Sequence, residues 1–182
     1  MPSSGNNIVV VYNSKYGSTR RYAEWIAAAT QADLLESSKA GLEDLLRYQA
    51  IVYGGSLHAV GIKGVKLITG NFGKLKDKRL IVFCVGASPA QPEAVRKVRE
   101  HNFTREQQER IGFFFLRGAF NYDKLSAGDK ILMGMLKASL KMRKEEDLDE
   151  DSKGLLACYD KPADWTDPKA VDPIIELLKS WT

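Results

Sequence analysis

A loop of hydroxyl-bearing residues follows the first apolar run of the chain. Residues 8–12 predict a buried strand, and residues 13–19 lead from it into a helical pattern. The free N–H groups and the dipole at a helix N-terminus attract an anion. The loop adds hydroxyl donors and one residue that permits a tight turn: Ser14, Ser18, Thr19 and Gly17. These features suit a phosphate monoester. The alternative is an ordinary helix cap, made by Ser18 or Thr19, with no ligand.

The same loop lacks the motifs that bind larger phosphate ligands. It contains neither GxxxxGK[ST], which cradles nucleoside triphosphates, nor GxGxxG, which binds dinucleotides in the Rossmann manner. The sequence therefore predicts a ligand with a single phosphate, provided that the fold places this loop at a ligand-binding edge.

Apolar runs alternate with helical patterns along the chain. The runs are short, continuous and rich in β-branched or aromatic residues, as in strands buried on both faces: residues 8–12, 32–36, 50–53, 80–85 and 112–116. The helical patterns lie at residues 19–30, 41–48, 64–72, 91–102, 123–144 and 168–181. This alternation predicts an α/β fold, a doubly wound parallel sheet of five strands with helices on both faces. The strand order 2-1-3-4-5 is one of the two common solutions.

Two segments are predicted to flank a ligand at one edge of that sheet. In doubly wound sheets the ligand lies beyond the carboxyl ends of the strands, where the strand order reverses. The segments after the third and fourth strands, residues 54–61 and 86–91, contain small residues whose main-chain amides can approach a flat ring. The alternative is that both segments are ordinary connecting loops.

The first loop resembles that of the flavodoxin family, [ST]-x-x-G-x-T, which wraps the phosphate of FMN, and residues 14–19 fit this pattern. The resemblance covers nearly the whole chain and is nearest to the branch that contains menaquinone-dependent protoporphyrinogen oxidase. It includes Thr19-Arg20, residues 52–56, Gly118-Ala119 and a basic, methionine-containing helical insertion at residues 130–144. The resemblance implies one flavodoxin-like domain over residues 1–182, with an insertion at about residues 120–154.

FMN is the cofactor that this resemblance implies. Its phosphate is expected to contact Ser14, Lys15, Tyr16, Gly17, Ser18 and Thr19. Its ring is expected to contact Gly55, Ser56, Leu57, His58, Val85, Gly86, Ala87 and Ser88. Ordinary flavodoxins bracket the ring with Trp and Tyr, which neither ring-facing segment contains, and this departure argues against an ordinary small electron carrier. His58 is either a proton donor near the flavin, because histidine titrates near neutral pH, or a surface residue.

The cysteines, the net charge and the lengths of the apolar runs indicate which kinds of site, partner and location to expect. Cys84 and Cys158 lie in apolar stretches and form no metal-ligand spacing with His58 and His101, so buried thiols and no metal site are expected. The net charge of +4 comes with no nucleic-acid-binding motif, so nucleic acid is not an expected partner. The chain begins without an apolar signal segment and has no run of about 18 apolar residues, which predicts a cytoplasmic protein.

The predicted insertion carries an amphipathic basic helix at residues 125–144. Apolar residues recur there at helical spacing, with Lys130, Lys137 and Lys141 between them. Such a helix could pack on the sheet, receive a quinone-like acceptor or a redox partner protein, or make a peripheral contact with the inner membrane surface. The predicted function is FMN-dependent electron transfer between a donor and a partner enzyme or organic acceptor. Two alternatives stay open: a quinone-dependent oxidoreductase similar to protoporphyrinogen oxidase, and a flavodoxin-fold binding module without cofactor.

Overall fold

The computed structural model describes residues 7–144, 146, 148, 150–159 and 161–181. Five strands form a parallel sheet in the order β2-β1-β3-β5-β6: β1 Ile8–Asn13, β2 Asp33–Glu36, β3 Ala50–His58, β5 Arg79–Gly86 and β6 Ile111–Arg117. The short strand β4 (Gly61–Ile62) pairs antiparallel with the end of β3. The predicted α/β doubly wound fold is confirmed, and the five long strands follow the expected order when they are counted without β4.

Helices cover both faces of the sheet because its central strands β1, β3 and β5 are apolar on both sides. Alternate side chains of β1 enter separate cores, with Val9 and Val11 in one and Val10 in the other. The first core also contains apolar side chains of α2 (Leu42–Leu45), α3 (Lys66–Thr69) and α4 (Pro92–Asn102). The second core contains those of α1 (Ser18–Thr30) and α8 (Asp172–Lys179). The short helix α5 (Arg105–Arg110), which the sequence does not predict, leads into β6.

A small additional layer follows β6. The strand β7 (Ala119–Phe120) pairs antiparallel with β8 (Ala163–Asp164), and α6 (Ala127–Lys141) and α7 (Glu150–Ala157) lie between them in sequence. An apolar cluster of Phe120, Cys158 and Tyr159 forms the centre of this layer. Residues 145, 147 and 149 of the predicted insertion lie outside the described residues. Among the described residues, no helix has both the length and the apolar character needed to cross a bilayer.

The third long strand extends further than the sequence predicts. Residues 54–61 are predicted as a loop, but β3 continues to His58 and then turns through Ala59, at a φ of 52°, into β4. The reason is that Gly54 and Gly55 still pair with both β1 and β5, and neighbouring side chains pack closely over them. A Cβ added at Gly54 would lie 2.1 Å from the Phe83 ring, and one added at Gly55 would lie 2.4 Å from Ile62. These glycines therefore allow neighbouring side chains to pack against the strand.

Candidate functional site

A cavity of about 670 Å³ lies at the carboxyl edge of the sheet. Four segments that follow β1, β3, β5 and β6 contribute to its walls, and α6 and α7 close it from the added layer. Its size falls within the usual range for small-molecule sites, roughly 300–1,000 Å³. The predicted ligand-binding edge therefore contains a cavity that can accept a small organic ligand.

The loop of residues 14–19 forms part of the cavity wall. Gly17 is the N-cap residue of α1 and has a φ of 97°, a conformation that L side chains rarely adopt. Because glycine has no side chain, the free N–H groups of the first helical turn receive no side-chain cap. The alternative that Ser18 or Thr19 caps α1 is wrong, since both lie inside the helix and line the cavity. The N-terminus of α1 is thus available to an anion.

One serine connects this loop to β3. The Ser56 hydroxyl accepts a hydrogen bond from the Lys15 N–H at 3.1 Å and donates to the Asn13 carbonyl at 3.2 Å. Its oxygen also lies 3.0 Å from Thr19 Oγ1, and Thr19 is only 1% exposed. A further contact fixes the helix start, where the Ala119 N–H donates to Ser18 Oγ at 3.0 Å. Ser56 therefore holds both ends of the 14–19 loop at the edge of the sheet.

A carboxylate from α6 meets the same loop. Asp129 accepts hydrogen bonds from the Lys15 ammonium and the Tyr16 hydroxyl, and its Oδ1 lies 3.5 Å from His58 Nδ1. The hydrogen bonds from Lys15 and then Tyr16 lower the pKa of Asp129 to about 2, and the bond to Asp129 raises the pKa of Lys15. The positive charge of Lys15 is thus compensated within the protein.

The lining as a whole carries more positive than negative charge. Arg21 donates to Asp164 at 2.7 Å, and this bond lowers the pKa of Asp164 to about 2. Lys63 and Lys124 also line the cavity, and neither takes part in the ion pairs found among the described residues. Among the described residues, these two cationic side chains have no ion-pair partner, which favours an anionic ligand.

The wall formed by the added layer is apolar. Its side chains come from the segment after β6 and from two helices: Phe120, Leu132, Met133, Leu136 and Leu155. Part of the predicted apolar stripe of α6 thus lines the cavity. Tyr16 and Phe120 contribute aromatic rings to the lining, whereas the segments that end β3 and β5 contribute no Phe, Tyr or Trp. A flat apolar group would find contacts on this side.

The structure brings together most of the residues predicted to contact a cofactor. All of them line the cavity except Ser14, Gly17 and Gly55. Ser14 Oγ accepts a hydrogen bond from the Gly17 N–H at 3.1 Å, and this bond stabilises the turn of the loop. The side chain of His58 is 57% exposed at the cavity wall. The predicted burial of both cysteines, Cys84 and Cys158, is confirmed.

The sequence did not point to the contribution of Asp129. The only signal is the spacing of Ser126 and Asp129 before an apolar run, a pattern typical of a helix start. Ser126 is indeed the N-cap of α6, and its Oγ accepts from the Asp129 N–H at 3.4 Å. The partner of the carboxylate, Lys15, lies 114 residues earlier in the chain, and no local pattern reports such a contact.

Comparison with protein families matches residues 9–147 to the flavodoxin domain. Comparison with curated proteins found no match. The match spans most of the chain, including the 14–19 loop, the strands β1 to β6 and α6.

Solved structures with some similarity include the three that follow. A WrbA-like flavodoxin from Agrobacterium tumefaciens is 21% identical, with a TM-score of 0.48 over 69% of this chain and 88% of that one. The Trp repressor binding protein from Bacillus subtilis is 17% identical, with a TM-score of 0.45 over 61% and 82%. A two-electron reduced flavodoxin from Megasphaera elsdenii is 19% identical, with a TM-score of 0.40 over 59% and 84%. These scores are low, so family membership rests on the domain match.

Proposed function

Because the chain belongs to the flavodoxin-domain family, we propose that it is an FMN-dependent redox protein that transfers electrons between a donor and a partner enzyme or organic acceptor. The observation that carries this proposal is the uncapped N-terminus of α1, whose first two residues, Ser18 and Thr19, line the cavity. Helix N–H groups with hydroxyl neighbours bind a phosphate well, because both the dipole and the free donors favour an anion.

The described side chains fit FMN in charge and shape. The phosphate would meet the N–H groups of the 14–19 loop and the hydroxyls of Ser18 and Thr19, and the ring would lie near the ends of β3 and β5. When bound, FMN supplies the hydride and single-electron chemistry. The chain itself anchors the phosphate and shields the ring from water with the apolar side chains of α6. The imidazole of His58 lies at the cavity wall with more than half of its surface exposed.

Replacement of Thr19 with valine tests the proposed phosphate contact. Valine keeps the shape of threonine but removes the hydroxyl, and a hydrogen bond to a charged group is worth about 1.5–3 kcal/mol. We expect FMN to bind roughly 10- to 100-fold more weakly, while riboflavin, which lacks the phosphate, binds as before. The matched control is Thr30→Val at the other end of α1, where the hydroxyl donates only to the Ile26 carbonyl at 2.7 Å. Equal FMN affinities in the two variants would contradict the proposal.

A second candidate is a quinone-dependent oxidoreductase similar to protoporphyrinogen oxidase. The apolar wall favours it, because Leu132, Met133 and Leu136 offer a surface for a ring-shaped acceptor. Reduced protein mixed with menaquinone, and oxidised protein mixed with protoporphyrinogen, would distinguish the candidates in a stopped-flow spectrometer. Fast reaction with both supports the oxidoreductase. Reaction with neither supports electron transfer to another protein, and a protein that takes up no flavin supports a binding module.

We also propose that the outer side of α6 contacts an anionic lipid surface. Ile131, Met135 and Met142 are 66%, 60% and 89% exposed, and the neighbouring Lys141 and Arg143 are exposed as well. Apolar side chains beside cations are typical of helices that lie in the plane of a membrane interface. We expect binding to phosphatidylglycerol vesicles but not to phosphatidylcholine vesicles in a cosedimentation assay. Equal binding of the wild type and an Ile131→Glu/Met135→Glu variant would contradict this contact.

A further inference from the structure

The first turn of α6 makes contacts that a helix start does not need. In a capping box, the acidic residue three positions after the N-cap residue reaches back to the N–H of that residue. Here the Ser126 N–H donates instead to the Tyr16 hydroxyl at 3.0 Å, and the Asp129 carboxylate accepts from Lys15 and Tyr16. Lys15 also donates to Ser126 Oγ at 3.2 Å. The Ser126 N–H and the Asp129 carboxylate, which bond to each other in a capping box, thus join α6 to the 14–19 loop.

The hydrogen bonds between α6 and the 14–19 loop involve charged and partly buried side chains. The side chains of Asp129 and Lys15 are 12% and 28% exposed, so water competes less than it does at an open surface. Hydrogen bonds in which the donor or the acceptor is charged are about twice as strong as neutral ones. The Tyr16 hydroxyl donates to Asp129 while it accepts from Ser126, so one phenol completes two bonds between the segments.

Beyond its first turn, α6 packs against the added layer on one side and is exposed on the other. Ile131 and Met135, in the middle of the helix, expose most of their surface. The contacts there include the Tyr159 hydroxyl, which donates to the Met133 carbonyl at 2.6 Å. Because α6 forms a wall of the cavity through Leu132, Met133 and Leu136, any movement of the helix changes access to the cavity.

We propose that Asp129 is a positioning residue that fastens the first turn of α6 to the 14–19 loop and thereby slows the departure of a ligand from the cavity. This inference rests on the proposed function, because the ligand in question is FMN. It gives Lys15 and Tyr16 a role different from the phosphate contact that the family resemblance implies. Their side chains hold α6, and the phosphate is left to the N–H groups and the hydroxyls of Ser18 and Thr19.

The two roles of Lys15 predict different ligand dependence. If Lys15 and Asp129 act as a fastening, then Lys15→Met and Asp129→Asn each speed the release of FMN and of riboflavin alike, since the phosphate is not involved. In the alternative, Lys15 binds the phosphate, and Asp129 competes with the phosphate for Lys15. Lys15→Met then weakens the binding of FMN but not of riboflavin, and Asp129→Asn slows the release of FMN.

Flavin release from wild type, both single variants and the double variant provides the first test. Release is followed as the recovery of free-flavin fluorescence after dilution. We expect about tenfold faster release in each single variant for both ligands, as for the loss of a charge-assisted hydrogen bond. The double variant should be no faster than the single ones, because both substitutions break the same contact. The matched control is Lys97→Met, which breaks the exposed Lys97–Glu93 pair at 2.8 Å and should leave release unchanged. Release from both single variants at the wild-type rate would overturn the proposal.

Amide hydrogen exchange of the flavin-free protein provides a second test that does not require a cofactor. We expect faster exchange over residues 126–141 in Asp129→Asn and Lys15→Met, and unchanged exchange there in Lys97→Met. A protein that fails to bind flavin but shows this difference would contradict the proposed function and keep the fastening. A protein that binds flavin but shows equal exchange in all variants would refute the fastening alone.

Discussion

Replacing Ser56 with alanine tests whether one hydroxyl keeps the ligand loop in shape. That hydroxyl contacts the Lys15 N–H at 3.1 Å, Thr19 Oγ1 at 3.0 Å and the Asn13 carbonyl at 3.2 Å. The Lys15 N–H is exposed, so water can replace the lost bond, whereas Thr19 is 1% exposed and its hydroxyl loses its protein partner. Each hydrogen bond contributes about 0.5–1.5 kcal/mol, so we expect the free energy of unfolding to fall by about 1–3 kcal/mol.

Urea unfolding of the Ser56→Ala variant, with and without FMN, measures this effect. We expect a lower midpoint in both conditions and a weaker stabilisation by FMN, because the loop no longer presents its N–H groups in one arrangement. The matched control is Ser37→Ala, which loses the hydrogen bond from the Asn13 side chain at 3.0 Å and does not line the cavity. If Ser56→Ala unfolds at the same midpoint as Ser37→Ala and gains as much from FMN, the role assigned to Ser56 is refuted.

Three further substitutions test local features of the structure. Gly54→Ala should destabilise by about 1–3 kcal/mol in urea unfolding, because its Cβ would lie 2.1 Å from the Phe83 ring; wild-type stability would show that the two strands have room for it. Gly17→Ala should destabilise by about 1–2 kcal/mol through its φ of 97° and weaken FMN binding, whereas Gly128→Ala, whose Cβ would meet nothing within 4 Å, should not destabilise the protein. Asp129→Asn should lower stability by a constant amount between about pH 4 and about pH 9, where Asp129 and Lys15 are both charged. The pKa of Asp129 is lowered from 3.8 to about 2, so this contribution is present above the unfolded value and is lost as the pH falls through the folded one. A difference between wild type and Asp129→Asn that shrinks already between about pH 7 and pH 5 would contradict the ion pair.

The central sheet and the first loop could be predicted because their signals are local. The continuous apolar runs of β1 and β5 are required by burial on both faces, and the observed cores bury Val9, Val10 and Val82 completely. The loop after β1 carries the glycine and hydroxyl residues that a ligand-binding turn requires. A parallel sheet then brings the ends of β1, β3 and β5 to one edge, which is why most of the predicted contact residues line one cavity.

The unpredicted features depend on contacts between distant parts of the chain. The extension of β3 reflects the pairing of Gly54 and Gly55 with β1 and β5, beneath the side chains of Phe83 and Ile62, which the run of small residues does not reveal. The pattern of α6 predicts a helix, but not that its first turn reaches Lys15 and Tyr16. A carboxylate at a helix start looks the same in sequence whether it caps its own helix or bonds to a loop more than 100 residues away.

Titration of FMN into flavin-free protein tests the central claim most directly. The account predicts that one FMN binds per chain, that its fluorescence is quenched, and that riboflavin binds more weakly because it lacks the phosphate held at the N-terminus of α1. Thr19→Val should bring the two affinities closer together. Absence of FMN binding, or equal affinities for FMN and riboflavin in the wild type, would contradict a phosphate site at residues 14–19.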